Sequence, residues 1–291
     1  MLASAAATPG FWDWSLDPPL VLVVDLVIFY LLGSRRTVTP RRTARAQRVR
    51  DAAFYASMIV LAIALASPIE KLSEDLFWVH MIQHVLLMLV AAPLFVFARP
   101  WIRLWRALPL AGRRWLARGL SQGDRTAPLR ALSRFLGTPS VSLVLFSVVL
   151  LGWHVPVLFD ATLHSEALHA LEHTLFFTTA LLLFKQVIPS PPMRASLGDA
   201  QRVGYTIAAM TVSWVLAVAL ALAPNPLYAH YAHLASRPGG ISALADQQLA
   251  AGVMWVPGSV TFVIIIFVYV HRWLSPQEQR PSRLAGLVGG H

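Results

Sequence analysis

Two pairs of histidines stand at a spacing that can do chemistry. His80-Met-Ile-Gln-His84 and His169-Ala-Leu-Glu-His173 each separate two imidazoles by four residues, which on a helix puts both rings on one face, one turn apart. Imidazoles so placed can share a first-row metal ion. The same spacing also serves hydrogen bonding between helices. His154, in Trp153-His154-Val-Pro156, offers a fifth ring. The chain contains no cysteine, which excludes disulfides, thiolate metal sites, iron–sulfur ligation and cysteine nucleophiles. Metal chemistry would therefore fall to His, Met, carboxylate or backbone donors.

Met254, in Gly252-Val-Met-Trp-Val-Pro257, supplies a thioether, and a thioether beside imidazoles favours Cu(I). Met81 and Met88 could play the same part, although the ordinary role of a single methionine is packing. Asp246, with Gln247 and Gln248, precedes Met254 and is a candidate auxiliary ligand. Glu172, between His169 and His173, is expected to orient an imidazole or to add a carboxylate oxygen. His169-x-x-Glu172-His173 also matches the pattern in which two His hold zinc and a Glu activates water, but nothing downstream clearly supplies the third ligand in that enzyme's way. Glu70, Glu74 and Asp75 read as solvated charges at a span end. His230 and His233 lie one helical turn apart in a loop, either as a first point of metal capture or as a merely exposed pair.

The elements that must position these residues are membrane spans. Of 291 residues, 56% are hydrophobic and only 13% charged, with a mean hydropathy of +0.59, far too apolar for a soluble chain of this length. Runs long enough to cross the hydrocarbon, about 20 residues, occur at roughly 18–33, 51–67, 77–98, 139–158, 166–188, 203–223 and 249–273. The expectation is an all-α bundle of seven transmembrane helices, a single integral domain covering 1–291. Of the 24 Lys and Arg, all but Lys71 and Arg237 fall on one side of that arrangement, including those of the Arg-rich 99–137 loop. By the positive-inside rule this side is cytoplasmic, so the N-terminus is outside and the C-terminus inside. Asp13, Asp17, Asp160 and Glu166 then join the acidic residues outside. Phe11, Trp12 and Trp14 read as an interfacial belt rather than a cleavage site, which keeps the N-terminus in the mature chain.

The net charge of +10 is explained by topology, with the 99–137 loop lying as a basic amphipathic helix on anionic headgroups. The basic segments carry no recognisable DNA- or RNA-binding motif, so a nucleic-acid partner is not expected. In this topology eight of the ten histidines lie toward the outer face, leaving only His271 and His291 inside. Ionisable groups within a span are costly and usually face a bundle interior or a wet cavity.

Four motifs in order, His80-MIQ-His84 running on to Pro100, Trp153-His154-Val-Pro156, Leu168-His169-x-x-Glu172-His173, and Asp246-QQLAAGV-Met254-Trp255, resemble the multi-span CtaG-type cytochrome c oxidase assembly factors. The likeness runs from about the second span to the seventh. It implies a multi-pass protein of the bacterial inner membrane, not an enzyme, that supports maturation of a haem-copper oxidase by handling copper on the periplasmic side. Its partners would be oxidase subunits, periplasmic copper chaperones and the lipid bilayer. Carried over by motif, His80, His84, His154, His169, His173, Asp246 and Met254 are the matching positions. Together with Glu172 they form the expected metal site, with Cu(I) as the metal.

Two other chemistries remain open on the residues alone. A b-type haem could be held by one His from each of two facing spans in an electron-transfer protein. Zinc, with three His, a carboxylate and an activated water, would make a membrane hydrolase like the seven-span ceramidases. A scaffold that binds no metal is the third.

Overall fold

The structure is a computed structural model that describes residues 18–122, 126–193 and 196–275. Phe11, Trp12, Trp14, Asp13, Asp17, Arg125, Arg194, Arg280, Arg283 and His291 lie outside the described residues. Among the described residues all regular elements are helices, and the one β contact is an isolated bridge between Ser190 and Met193. Helices α1 (Pro18–Arg35), α2 (Ala44–Ala66) and the short α3 (Pro68–Asp75) lead into α4 (Phe77–Val85), which continues through a π-helical turn (Leu86–Ala91) into α5 (Ala92–Ala98). The 99–137 loop is helical, as expected, though in three pieces: α6 (Trp101–Ala107), α7 (Leu110–Gln122) and α8 (Ala127–Leu136). Then follow α9 (Pro139–Trp153), α10 (Pro156–Leu163), α11 (Glu166–Val187), α12 (Asp199–Leu222), α13 (Ala229–His233) and α14 (Ala243–Leu274).

A helix occupies each of the seven expected segments. Five are long and apolar enough to cross a membrane: Arg41–Ala66, Phe77–Ala98, Glu166–Val187, Asp199–Leu222 and Ala243–Leu274. The pair α8 and α9, bent by 76°, would make a sixth. The distribution of side chains agrees with an apolar surrounding. Leu22, Val148, Val256 and Phe267 are more than 60% exposed, whereas His80, Gln83, Glu172 and Asp246 are fully buried. An exposed apolar surface around a polar interior is what a hydrocarbon solvent selects.

The fourth expected span is shorter than the sequence suggests. Helix α9 stops at Trp153 because Pro156 restricts Val155 to an extended conformation (φ −66°, ψ 125°) and then opens α10 as its first residue. The expected end near Leu158 falls in this second helix, and His154 sits at the break.

Backbone groups freed by proline are satisfied from neighbouring helices. Pro93 has no N–H to give Leu89, and the Leu89 carbonyl accepts instead from the Thr261 hydroxyl of α14. The Ser57 hydroxyl donates to the Ala91 carbonyl at 2.8 Å, tying α2 to the π-helical turn. At the end of the bundle remote from the histidines, Asp51 of α2 accepts from Tyr30 of α1 (2.7 Å) and pairs with Arg103 of α6. There α1 runs so close to α6 that a Cβ on Gly33 would stand 1.8 Å from the Arg103 carbonyl oxygen, an approach only glycine permits.

Candidate metal centre

The start of α4 is fixed by a residue far away in sequence. Helices begin with unsatisfied N–H groups, and Leu76, the residue preceding α4, has no side chain to cap them. Asp246, from the first turn of α14, does so in its place: its two carboxylate oxygens accept from Phe77 N (3.0 Å) and Trp78 N (2.9 Å). Each of its oxygens accepts from a backbone donor, and it is not among the four residues whose donor atoms gather below. Gln247 acts similarly, accepting from Leu227 N (2.8 Å) and donating to the Leu220 carbonyl (3.0 Å).

With α4 so anchored, His80 and His84 face α11, whose own start is capped by the Ser165 hydroxyl. Donor atoms of His80, His84, Glu172 and His173 all lie within 4.8 Å of one another, and all four residues are buried. The His80 and His84 Nε2 atoms are 3.0 Å apart, and Glu172 Oε2 lies 3.9 and 3.8 Å from them. His169 adjoins His173 with ring centroids 4.1 Å apart, and the His154 ring is 6.1 Å from that of His84. All five histidines expected from sequence thus meet at one end of the bundle, although only three belong to the compact four-donor group.

The tautomer of His80 follows from its neighbours. The Tyr231 hydroxyl donates to the Ser73 carbonyl at 2.5 Å and so accepts from His80 Nδ1–H at 3.1 Å. Burial, ahead of the charge of Asp246, holds the Tyr231 phenol well above its ordinary range, so that the proton it donates is retained. His80 Nε2 is left as a lone pair aimed into the cluster. This is the way a metal-binding imidazole is usually oriented, by a hydrogen bond from its other nitrogen.

The cluster also holds polar atoms with nothing to bond. Both Glu172 oxygens, His84 Nδ1, His169 Nε2 and His173 Nε2 are buried without a hydrogen-bond partner. Each such group costs about 1–3 kcal/mol. A cation held by Glu172 and His173 would offset that cost at those atoms. Four donors each about 2.0 Å from one tetrahedral ion stand about 3.3 Å apart, so side-chain rotations that draw the wider pairs together would be needed to close the group on one. Imidazole suits copper and zinc alike.

Sequence reasoning missed three positions here. Tyr231 was hidden between the two histidines of an apparent loop pair. Ser73, whose carbonyl it engages, acts through backbone and carries no side-chain signal. Glu70, expected as a solvated charge, instead pairs with His169 Nδ1 at 3.3 Å and accepts from Gln83 Nε2. Glu70 lies where α3 folds back over the cluster rather than out into water. Glu74 stays exposed, as expected, although partial desolvation, followed by the charges of Glu70 and Asp75, pushes its carboxyl up.

The two outer-loop histidines are not a pair. His230 Nε2 contacts the Glu74 carbonyl (3.0 Å), and its ring packs against His164, with centroids 5.5 Å apart, while His233 is exposed. Met254 is buried and lines an adjoining cavity together with His84 and His154.

Comparison with known proteins gives one family. The sequence model described as cytochrome c oxidase caa3 assembly factor matches residues 28–275. Among curated relatives, the uncharacterized protein Mb0105 of Mycobacterium bovis is 24% identical over 238 residues, 79% of this chain and 35% of that protein. The uncharacterized protein ML1998 of Mycobacterium leprae is 24% identical over 272 residues, 90% of this chain and 40% of that protein. The chain therefore spans little more than a third of the length of these relatives. No solved structure matches.

Proposed function

Because the chain belongs to the cytochrome c oxidase caa3 assembly factor family, we propose that it supports maturation of a haem-copper oxidase by holding copper at the His80, His84, Glu172 and His173 cluster. The observation that carries this reading is the convergence of four buried donors whose facing atoms have no other partner. Copper is the cargo. The protein's own residues would bind it, with Tyr231 keeping His80 in the tautomer that presents Nε2.

In this reading the bundle has seven spans in the bacterial inner membrane, with its N-terminus outside, its C-terminus in the cytoplasm and the cluster near the periplasmic face. The partners are oxidase subunits and periplasmic copper chaperones. The His164 and His230 pair at the same end of the molecule is where copper would first be met. Donors gathered around one point favour a single ion over a haem, whose two axial imidazoles must stand on opposite sides of a macrocycle. Three imidazoles and a carboxylate also suit zinc and hydrolysis, and Glu172 is the observation favouring that second reading.

The test is metal analysis of protein purified in detergent through a tag free of histidine and loaded anaerobically with Cu(I). Copper, zinc and iron are measured by mass spectrometry beside a His80→Ala, His173→Ala variant. Copper bound by the wild type, with about one equivalent per chain lost from a variant that keeps its helicity, is expected. Stoichiometric zinc retained in preference to copper would turn the reading to a hydrolase, and a haem absorbance band would turn it to electron transfer.

A further inference from the structure

A cavity of about 30 Å³ adjoins the cluster and is lined by Met81, Met88, Met254, His84, His154 and Ser213, with apolar side chains completing the wall. That volume admits a group the size of one water molecule. Its donors come from three helices. Met81 and Met88 project from α4 and the π-helical turn beside the face bearing His80 and His84, His154 from the end of α9, and Met254 from α14.

The His154 tautomer makes this more than methionine packing. Its Nδ1 is 2.8 Å from the Leu150 carbonyl, which can only accept, so Nδ1 carries the proton. In the neutral ring Nε2 then bears a lone pair, and it faces the Met81 sulfur at 3.4 Å. Thioether sulfur is also a lone-pair donor. Two electron-rich atoms, both buried, thus confront each other at that distance. An imidazolium would relieve the confrontation, at the cost of a charge in an apolar cavity. An ion about 2.0 Å from the nitrogen and about 2.3 Å from the sulfur would relieve it with a bond angle near 100°, an ordinary value for three- or four-coordination.

We infer that this cavity is a second metal site, selective for Cu(I), in which His154 and Met81 are the primary donors and Met254 a third. The inference rests on the copper-handling reading of the neighbouring cluster but assigns a separate ion to separate residues. Thioether with a single imidazole favours monovalent copper over zinc or Cu(II), whereas the three imidazoles and carboxylate of the first cluster do not discriminate in this way. His84 belongs to both environments. Its Nε2 faces His80 and Glu172, its ring lines the cavity, and its Nδ1 is buried without a partner. The two sites therefore form adjacent stations on one route, the inner one accepting copper only in its reduced state.

The experiment is X-ray absorption at the copper edge on full-length protein loaded anaerobically with Cu(I), in three forms: wild type, His80→Ala, His173→Ala, and Met81→Leu, Met254→Leu. Leucine keeps the volume of methionine and removes the sulfur. Retained zinc binding at the histidine cluster shows that this last variant is folded. Expected are sulfur scatterers in the wild type that persist in the histidine variant, and in the methionine variant a loss of the sulfur signal with Cu(I) affinity at that site weakened at least about tenfold. Nitrogen and oxygen scatterers alone in the wild type, or an unchanged sulfur signal in the methionine variant, would overturn the inference while leaving the first cluster's reading intact. A histidine variant that loses no copper, beside a methionine variant that does, would support this site and remove the other.

Discussion

Tyr231 sets the donor atom of His80 without itself being placed to bind metal. In Tyr231→Phe the His80 Nδ1–H loses its acceptor at 3.1 Å, and loss of such a supporting bond typically weakens metal affinity about 10–100-fold. Equilibrium dialysis against a copper chelator measures this, and circular dichroism should show the helices intact. Glu172→Gln keeps the shape of the side chain and removes its charge. Metal affinity is expected to fall by at least as much, while helicity is retained. Imidazoles bind metal only as neutral bases, so affinity should also decline on acidification as protons compete for the same lone pairs. His80, His84, His169 and His173 were legible in sequence, since i and i+4 spacing fixes a helix face, whereas His154 and Glu172 were named from their motifs. Tyr231 and Glu70 were not legible. Their roles depend on α3 and α13 folding back over the cluster, and no local pattern encodes that.

The capping of α4 is borrowed from α14, and this decides a different set of outcomes. Asp246→Ala removes both acceptors from the first turn of α4, and losing a cap costs about 0.5–2 kcal/mol. A lowered thermal midpoint in detergent is expected, with the metal stoichiometry of the folded fraction unchanged. A variant that kept its midpoint but lost its metal would restore Asp246 to the site. From sequence its place beside Met254 in a shared motif suggested a ligand. The carboxylate's actual partners are backbone N–H groups 168 and 169 residues away, which periodicity does not reveal. The break after Trp153, by contrast, was legible in principle, because the residue before a proline leaves helical conformation. It is this break that leaves His154 facing Met81 at the end of α9.

At the scale of the whole molecule, polar groups are inside and apolar ones outside, and the charge asymmetry of the chain predicts which end faces which compartment. The absence of native cysteine makes this easy to test with single-cysteine variants. In spheroplasts, Ser236→Cys should react with a membrane-impermeant thiol reagent, and Ser133→Cys only after permeabilisation. The reverse pattern would invert the topology. Hydropathy placed a helix in each of seven apolar segments, of which five are long and apolar enough to cross a membrane and a bent pair would make a sixth. It could not show that α4, α9, α11 and α14 meet, which only tertiary packing decides. That meeting is the premise of the account, and its most direct test is the copper content of His80→Ala, His173→Ala protein loaded beside the wild type. The account predicts the loss of about one equivalent per chain from a variant that remains folded. Equal copper in the two proteins, or none in either, would contradict it.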